Sequence, residues 1–437
     1  MLLRFSVSNF GSIRDKQELS MIASGAIKDD ASGLIDAPEL KKEKVLPAAV
    51  IYGANASGKS NFVKALAHMQ MLVRDSHRRG EPGGGVPLKP FLLDPDYVEK
   101  SSAFSMDFVW KGARYAYGFE ACATEVLRET LAVWRGGSRA MLFERERDVF
   151  EFGRSLKGEN RVTEKLTRPN SLFLSAAAQN NHETLRAVAA FFADVLVEKS
   201  ESKSPGAVAL SLAKEAIDER MIGLLCVVDI GVTGIHFHKH EAAEIDDGHL
   251  ETERNTGGLK EDMSALEWIA EKVSQANRRL QRFENHPIAR LGRKSKKGED
   301  TYLSFSDESA GTLQLLSILG PVFRALDEGR VVVIDEFGSR LHTRASELIL
   351  ALFNNKETNP EGAQLIVATH DTNLLNAKGL RRDQVWFTEK DETGATHLYP
   401  LTDIETRKGD NLERGYLQGR YGAIPFAGSI ADFKKTV

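Results

Sequence analysis

The chain has 437 residues, room for two or three domains, with 42% hydrophobic and 27% charged residues, an ordinary globular balance. Its formal net charge of −4 gives no global electrostatic drive toward nucleic acid or an anionic membrane, and its longest apolar run, Met221 to Val228, is far too short to cross a bilayer. Two cysteines, Cys122 and Cys226, cannot make a disulfide framework or a four-thiolate zinc site, and the first residues lack the apolar core of a signal peptide, so a reducing cytoplasm is the expected setting.

Leu2 to Ser8 alternates as a strand, and Asn9 to Ser12 turns it. Residues 29–43 are polar and read as a loop. The apolar run from Val45 to Tyr52 reads as a buried parallel strand. It feeds Gly53-Ala54-Asn55-Ala56-Ser57-Gly58-Lys59-Ser60, which fits the phosphate-loop pattern G-x-x-x-x-G-K-[ST] without a mismatch. A helical pattern follows, with Phe62, Leu66, Met69 and Val73 on one face. Gly53 and Gly58 let backbone wrap an anion with no Cβ in the way, and the loop amides and helix N-terminus supply positive partial charge. Lys59 is expected to reach the β- and γ-phosphates of a nucleotide and Ser60 to hold Mg²⁺, with Asn55 and Asn61 as further nucleotide contacts.

After a Gly/Pro-rich connector at 78–87 the period becomes two. Phe104, Met106, Phe108 and Trp110 share one face, Lys111-Gly112 turns, and Tyr115, Tyr117 and Phe119 return, opening an antiparallel subdomain of about five strands that runs to Phe152. The aromatic alternation reads as core rather than a base-stacking platform. Leu172-Phe173-Leu174 reads as a short buried strand with Gln179 just beyond it. Residues 183–225 are mostly helical by pattern, Ile235 and Phe237 suggest a strand, and 262–284 forms an amphipathic helix. Arg290, Arg293, Lys294, Lys296 and Lys297 make a basic loop, a plain solvated loop by composition or a contact for nucleic-acid phosphates. His236, His238 and His240 alternate on one strand face, and a solvated strand edge explains them better than a metal site.

The rest returns to α/β alternation. Val331 to Ile334 is a run of β-branched apolar residues ending in Asp335-Glu336, the form of a buried parallel strand that delivers carboxylates at its C-terminal end. Asp335 is the second expected Mg²⁺ ligand, and Glu336 the base for an attacking water. Upstream, Ser309-Ala310-Gly311-Thr312 opens a helix, with Ser309 as its cap, either a plain capped helix or an anion site. Ser339 follows the acids, and Leu365 to Thr369 gives another buried strand ending at His370.

The order of phosphate loop, Ser309-Ala310-Gly311, Asp335-Glu336, Ser339 and His370 resembles the ATPase heads of the ABC, SMC and RecF superfamily. The resemblance implies a P-loop head of α/β class with an antiparallel β-subdomain and a mostly helical insert. It implies Ser309 and Gly311 reaching the γ-phosphate bound by a second protomer, Gln179 sensing Mg²⁺ and water, Ser339 linking the two sites and His370 contacting the γ-phosphate. A narrower resemblance, to the RloA-like ATPases of bacterial defence loci, runs through Asn9-Phe10, Ser309-Ala310-Gly311-Thr312, Thr369-His370-Asp371-Thr372-Asn373-Leu374-Leu375, Arg381 to Phe387 and the ending from Tyr416 to Pro425. It implies a homodimer or higher homo-oligomer, a small nuclease-like effector encoded nearby, and a sensor or regulator role in anti-phage defence. Gly11 departs from the Arg that many heads carry after Asn-Phe, and Glu308 and Ala310 stand where transporters carry Leu and Gly. The long interval between Ser60 and Ser309 argues against a transporter subunit, and the lack of sustained heptads between 183 and 284 argues against the alternative of a RecF- or SMC-type DNA-repair head. The expected organisation is an N-terminal lobe at 1–180, an insert at 181–297 and a C-terminal lobe at 298–437.

Overall fold

In the computed structural model, which describes residues 1–29, 32–135, 137–198, 205–214, 218–229, 231–238, 288–407 and 409–424, the alternating segments and the apolar runs build separate sheets. Contacts group Met1–Glu201 with Ile318–Val437 as one unit and Ser202–Ser317 as another.

The first unit begins with β1 (Leu2–Ser8), β2 (Gln17–Ser20), β3 (Ile35–Asp36), β4 (Lys44–Val45), β5 (Ala48–Gly53), α1 (Lys59–Arg79) and α2 (Pro95–Val98). It continues through β6 (Ser102–Trp110), β7 (Ala113–Ala121), β8 (Val126–Arg135), β9 (Ser138–Glu146), β10 (Val149–Phe152), α3 (Asn160–Leu166), α4 (Phe173–Gln179), α5 (Leu185–Ala193) and β11 (Val195–Glu198). The second unit holds α6 (Pro205–Lys214), α7 (Glu219–Val228), the antiparallel strands β12 (Val232–His238), β13 (Ile288–Lys294) and β14 (Asp300–Ser304), and the start of α8 (Ala310–Glu328). The first unit resumes with β15 (Val331–Phe337), α9 (Thr343–Asn354), β16 (Gln364–Thr369), β17 (Val385–Lys390), β18 (Thr396–Pro400) and α10 (Leu412–Leu417).

The five expected strands β6 to β10 are there, and β1 and β2 extend them into a seven-stranded sheet in the order β10-β9-β8-β7-β6-β1-β2. The apolar runs form a six-stranded sheet in the order β11-β15-β16-β5-β17-β18, parallel except for β18. Every residue of β5 and β16 is buried, as expected of central parallel strands covered on both faces. Helix α1 packs against strands of both sheets, and its Phe62 ring meets Phe5 of β1 edge-on at 5.3 Å. The expected apolar face Phe62, Leu66, Met69 and Val73 is wholly buried. Gln364 joins the sheets: its amide donates to the carbonyls of Leu2 at 2.9 Å and Leu46 at 3.2 Å.

Several local expectations are corrected. Leu172-Phe173-Leu174 is not a strand; it leads into α4, because Glu129 of β8 accepts from the amides of Phe173 (2.6 Å) and Leu174 (2.9 Å) and so caps the helix start. Residues 185–198 pack with the first unit, where α5 lies on α1 and α4 and β11 pairs in parallel with β15. The basic segment at 290–297 is largely strand β13, with only its end turning, because Ala289 and Leu291 alternate inward. The expected helix at 262–284 and His240 lie outside the described residues. The His236 ring packs edge-on against Tyr302 at 4.4 Å, and no group of three or more metal-binding side chains occurs among the described residues. No described helix is long and apolar enough to cross a membrane.

Candidate nucleotide site

The site is set by strand order. β16 lies between β15 and β5, so His370 at the end of β16 stands between the loop that leaves β5 and the acids that end β15. This is the carboxyl edge of a parallel sheet, where ligands of open α/β folds bind. Helix α1 starts at that edge and brings the Ser60 hydroxyl to donate to Asp335 Oδ1 at 3.1 Å. Two hard oxygen donors side by side suit Mg²⁺, which takes its remaining ligands from water and phosphate.

The loop is held by contacts that the motif does not encode. Ser57 Oγ lies 2.7 Å from Thr388 Oγ1 of β17, and Thr396 Oγ1 of β18 donates to the Ser57 carbonyl at 2.9 Å. Gly58 has φ 111°, and a Cβ there would stand 2.1 Å from Thr396 Oγ1. At Gly53 a Cβ would lie 2.4 Å from Thr388 Oγ1. Neither motif glycine leaves room for a Cβ against these threonines. Asn61 donates to Ser12 Oγ at 2.7 Å, tying α1 to the turn after β1, while Asn55 is exposed at the tip.

The buried Lys59 ammonium donates to the carbonyls of Gly53 (2.7 Å) and Ala54 (2.9 Å). Desolvation lowers its pKa to about 8, against the opposing pull of Asp335 and Glu336. Glu336 is exposed and sits at φ 52°, where the register between β15 and β16 shifts; its amide donates to Asp335 Oδ1 at 3.0 Å. A non-glycine residue in the left-handed region costs about 1–2 kcal/mol, and such strain gathers at functional positions. The Ser339 amide donates to the Glu336 carbonyl at 3.1 Å, closing a turn that presents both side chains to solvent. Desolvation, then the neighbouring Lys59 charge, lowers the pKa of the His370 imidazole. Lys59, Ser60, Asp335, Glu336 and His370 are thus brought together. Gln179 is not part of this cluster by any hydrogen bond to Ser60 or Asp335; it lies exposed at the last residue of α4.

The Ser309 turn lies in the second unit and has its own clamp. Ser309 Oγ accepts from the Thr312 amide at 3.1 Å and lies 2.9 Å from Thr312 Oγ1, which donates to Asp229 Oδ2 at 2.7 Å. Arg293 of β13 donates to both Asp229 oxygens (3.2 and 3.1 Å) and to Glu308 (3.1 and 2.6 Å). Burial works against the charge on Asp229, but the Arg293 and Thr312 hydrogen bonds outweigh it and hold the carboxyl below its usual range. Ser309 and Ala310 are exposed and Gly311 is half-buried.

Thr388, Thr396 and Asp229 carry no signal in the sequence that marks them as site residues, and nothing there pairs Arg293 or Thr312 with Asp229. The pairing of Thr388 with Ser57 and the exclusion of a Cβ at Gly58 by Thr396 exist only in three dimensions.

A family model described as "AAA domain, putative AbiEii toxin, Type IV TA system" matches residues 48–222 and 236–376. No curated protein matches the chain. Among solved structures it is similar, at 12% identity and a TM-score of 0.42, to one described as the SmcHead bound to the C-winged helix domain of ScpA, covering 91% of this chain and 96% of that one.

Proposed function

The chain belongs to that AAA-domain family of P-loop ATPases, and from this premise we propose that it is an ATP-driven switch of a bacterial defence locus, which binds and hydrolyses ATP with Mg²⁺ and dimerises around the nucleotide. The observation that carries the reading is the Ser60–Asp335 contact at 3.1 Å, which joins the two halves of a phosphoryl-transfer site across a long sequence interval. In this reading the loop amides, Lys59 and His370 bind the phosphates, and Ser60 and Asp335 hold Mg²⁺. Glu336, exposed one residue past Asp335, takes the proton of the attacking water. Ser309 and Gly311, open at the start of α8, serve the site of a second protomer, and Ser339 belongs to the segment that links the two sites. The family's toxin–antitoxin description supports a defence role, and a small effector protein encoded nearby is the proposed partner.

The test is Glu336→Gln, which keeps shape but removes the base. Phosphate release should fall by roughly two to four orders of magnitude while ATP binding persists. Light scattering should show this variant accumulating as an ATP-dependent dimer, and Ser309→Arg should block that dimer while each protomer still binds nucleotide. Unchanged turnover removes Glu336 as base, and association indifferent to ATP removes the shared site.

A further inference from the structure

The hydroxyl protons around Ser309 can be assigned by elimination. Asp229, an ionised carboxylate, has no proton to give, so at 2.7 Å Thr312 Oγ1 must donate to it. Thr312 has one hydroxyl proton and it is committed. At 2.9 Å the remaining contact therefore runs the other way, with Ser309 Oγ donating to Thr312 Oγ1. The Ser309 oxygen also accepts the Thr312 amide at 3.1 Å. The hydroxyl is exposed, yet its proton points into the first turn of α8 rather than outward.

We propose that Asp229 and Thr312 are positioning residues for Ser309, orienting its proton away from an incoming phosphate and so restraining ATP turnover until Asp229 is drawn off. This rests on Ser309 serving the nucleotide site. Asp229 follows α7 and Arg293 lies on β13, so both anchors of the relay belong to the insert. Arg293 spans Asp229 and Glu308, and Glu308 immediately precedes Ser309, with its side chain only 2% exposed. A partner that shifts the end of α7 relative to β13 would break the Thr312–Asp229 bond. Thr312 could then donate back to Ser309, and the Ser309 proton would be free for a phosphate oxygen. The insert would thereby act as the input to the ATP site.

Thr312→Val removes the hydroxyl that receives the Ser309 proton and keeps the side-chain shape. Its kcat for phosphate release should rise roughly tenfold, the worth of one hydrogen bond to a charged group, with KM nearly unchanged because the phosphate loop is untouched. Thr312→Ser, which restores the hydroxyl, should return to the wild-type rate. Adding Ser309→Ala to Thr312→Val should remove the gain. Asp229→Ala reads the same relay from its other end and should also raise kcat, which keeps the idea testable if the valine variant folds poorly. A kcat at or below wild type in both Thr312→Val and Asp229→Ala, or a gain that survives Ser309→Ala, overturns the proposal. Lys59→Ala separates the two levels. Without Lys59-dependent turnover in wild type or either activated variant, the ATPase reading itself fails; with it, only the relay is at stake.

Discussion

Thr396 holds the phosphate loop from β18, and no motif announces it. It is 1% exposed, and its hydroxyl donates to the Ser57 carbonyl at 2.9 Å and lies 2.7 Å from Ser12 Oγ. Thr396→Val keeps volume, branching and strand preference, so packing against Gly58 survives. What is lost is the donor. Ser12 still receives Asn61 Nδ2 at 2.7 Å, but the Ser57 carbonyl, in a residue 4% exposed, loses its Thr396 donor. An ordinary hydrogen bond contributes about 1 kcal/mol net and a stranded buried acceptor costs about 1–3 kcal/mol, so about 2 kcal/mol is at stake. Because the affected carbonyl belongs to the loop, most of this should fall on the loop's binding conformation, and 2 kcal/mol corresponds to a roughly thirtyfold weaker Kd for ATP. Calorimetric titration of ATP into wild type, Thr396→Val and Thr396→Ser measures it, beside thermal unfolding, where a shift of a few degrees is expected. Thr396→Ser should behave as wild type. A valine variant with wild-type affinity and unfolding would refute the view that β18 holds the loop in its anion-binding shape.

Two further perturbations follow from the same geometry. Lys59 binds phosphate as a cation, so with its pKa near 8 the affinity for ATP, measured without Mg²⁺, should be level near pH 7 and fall about tenfold per pH unit above 8; a flat profile up to about pH 9.5 would refute it. The folded pKa lies below the ordinary lysine value of 10.5, so the unfolded chain binds more protons between these values, and this group's contribution to stability rises with pH across that window. Glu129→Gln should destabilise the protein by about 3–5 kcal/mol, because it strips the carboxylate 3.7 Å from the buried Arg145 guanidinium; denaturant unfolding with little loss of stability would show that Arg145 is satisfied by its carbonyl partners alone.

What the sequence revealed was local. The phosphate loop, the β15 acids and the β16 histidine are each a short run whose chemistry is carried by neighbours in the chain, and the apolar runs beside them could only be central strands. What it hid was long-range or ambiguous in period. Leu172-Phe173-Leu174 is three apolar residues, too few for periodicity to tell strand from helix, and the capping Glu129 lies on another element. Glu129 itself, 0% exposed, sits on the inner face with Leu131, where a register irregularity between Leu131 and Ala132 breaks simple alternation. By charge alone Arg293 belongs to a basic loop, solvated or facing nucleic-acid phosphates, yet its fork is filled by Asp229 and Glu308. Composition finds cations, but only the fold tells which of them are paired.

The strand order also explains why Glu336 tolerates a strained backbone. β15 pairs in register with β16 from Val331 to Ile334, then slips, and Phe337 pairs with Thr369. The slip falls on Asp335 and Glu336, the two residues whose carboxylates must leave the plane of the sheet at the site. Phe337 is fixed again by burial and by its carbonyl accepting from Thr369 Oγ1 at 2.6 Å, while Gly338 continues the turn at φ 82°. With β15 pinned on both sides of the slip, Glu336 has no room to relax from φ 52°, and the left-handed turn that this imposes carries its side chain outward beside Asp335. The strain is therefore local and is supported by buried pairing on either side, as expected for a residue retained for what its carboxylate does rather than for what its backbone prefers.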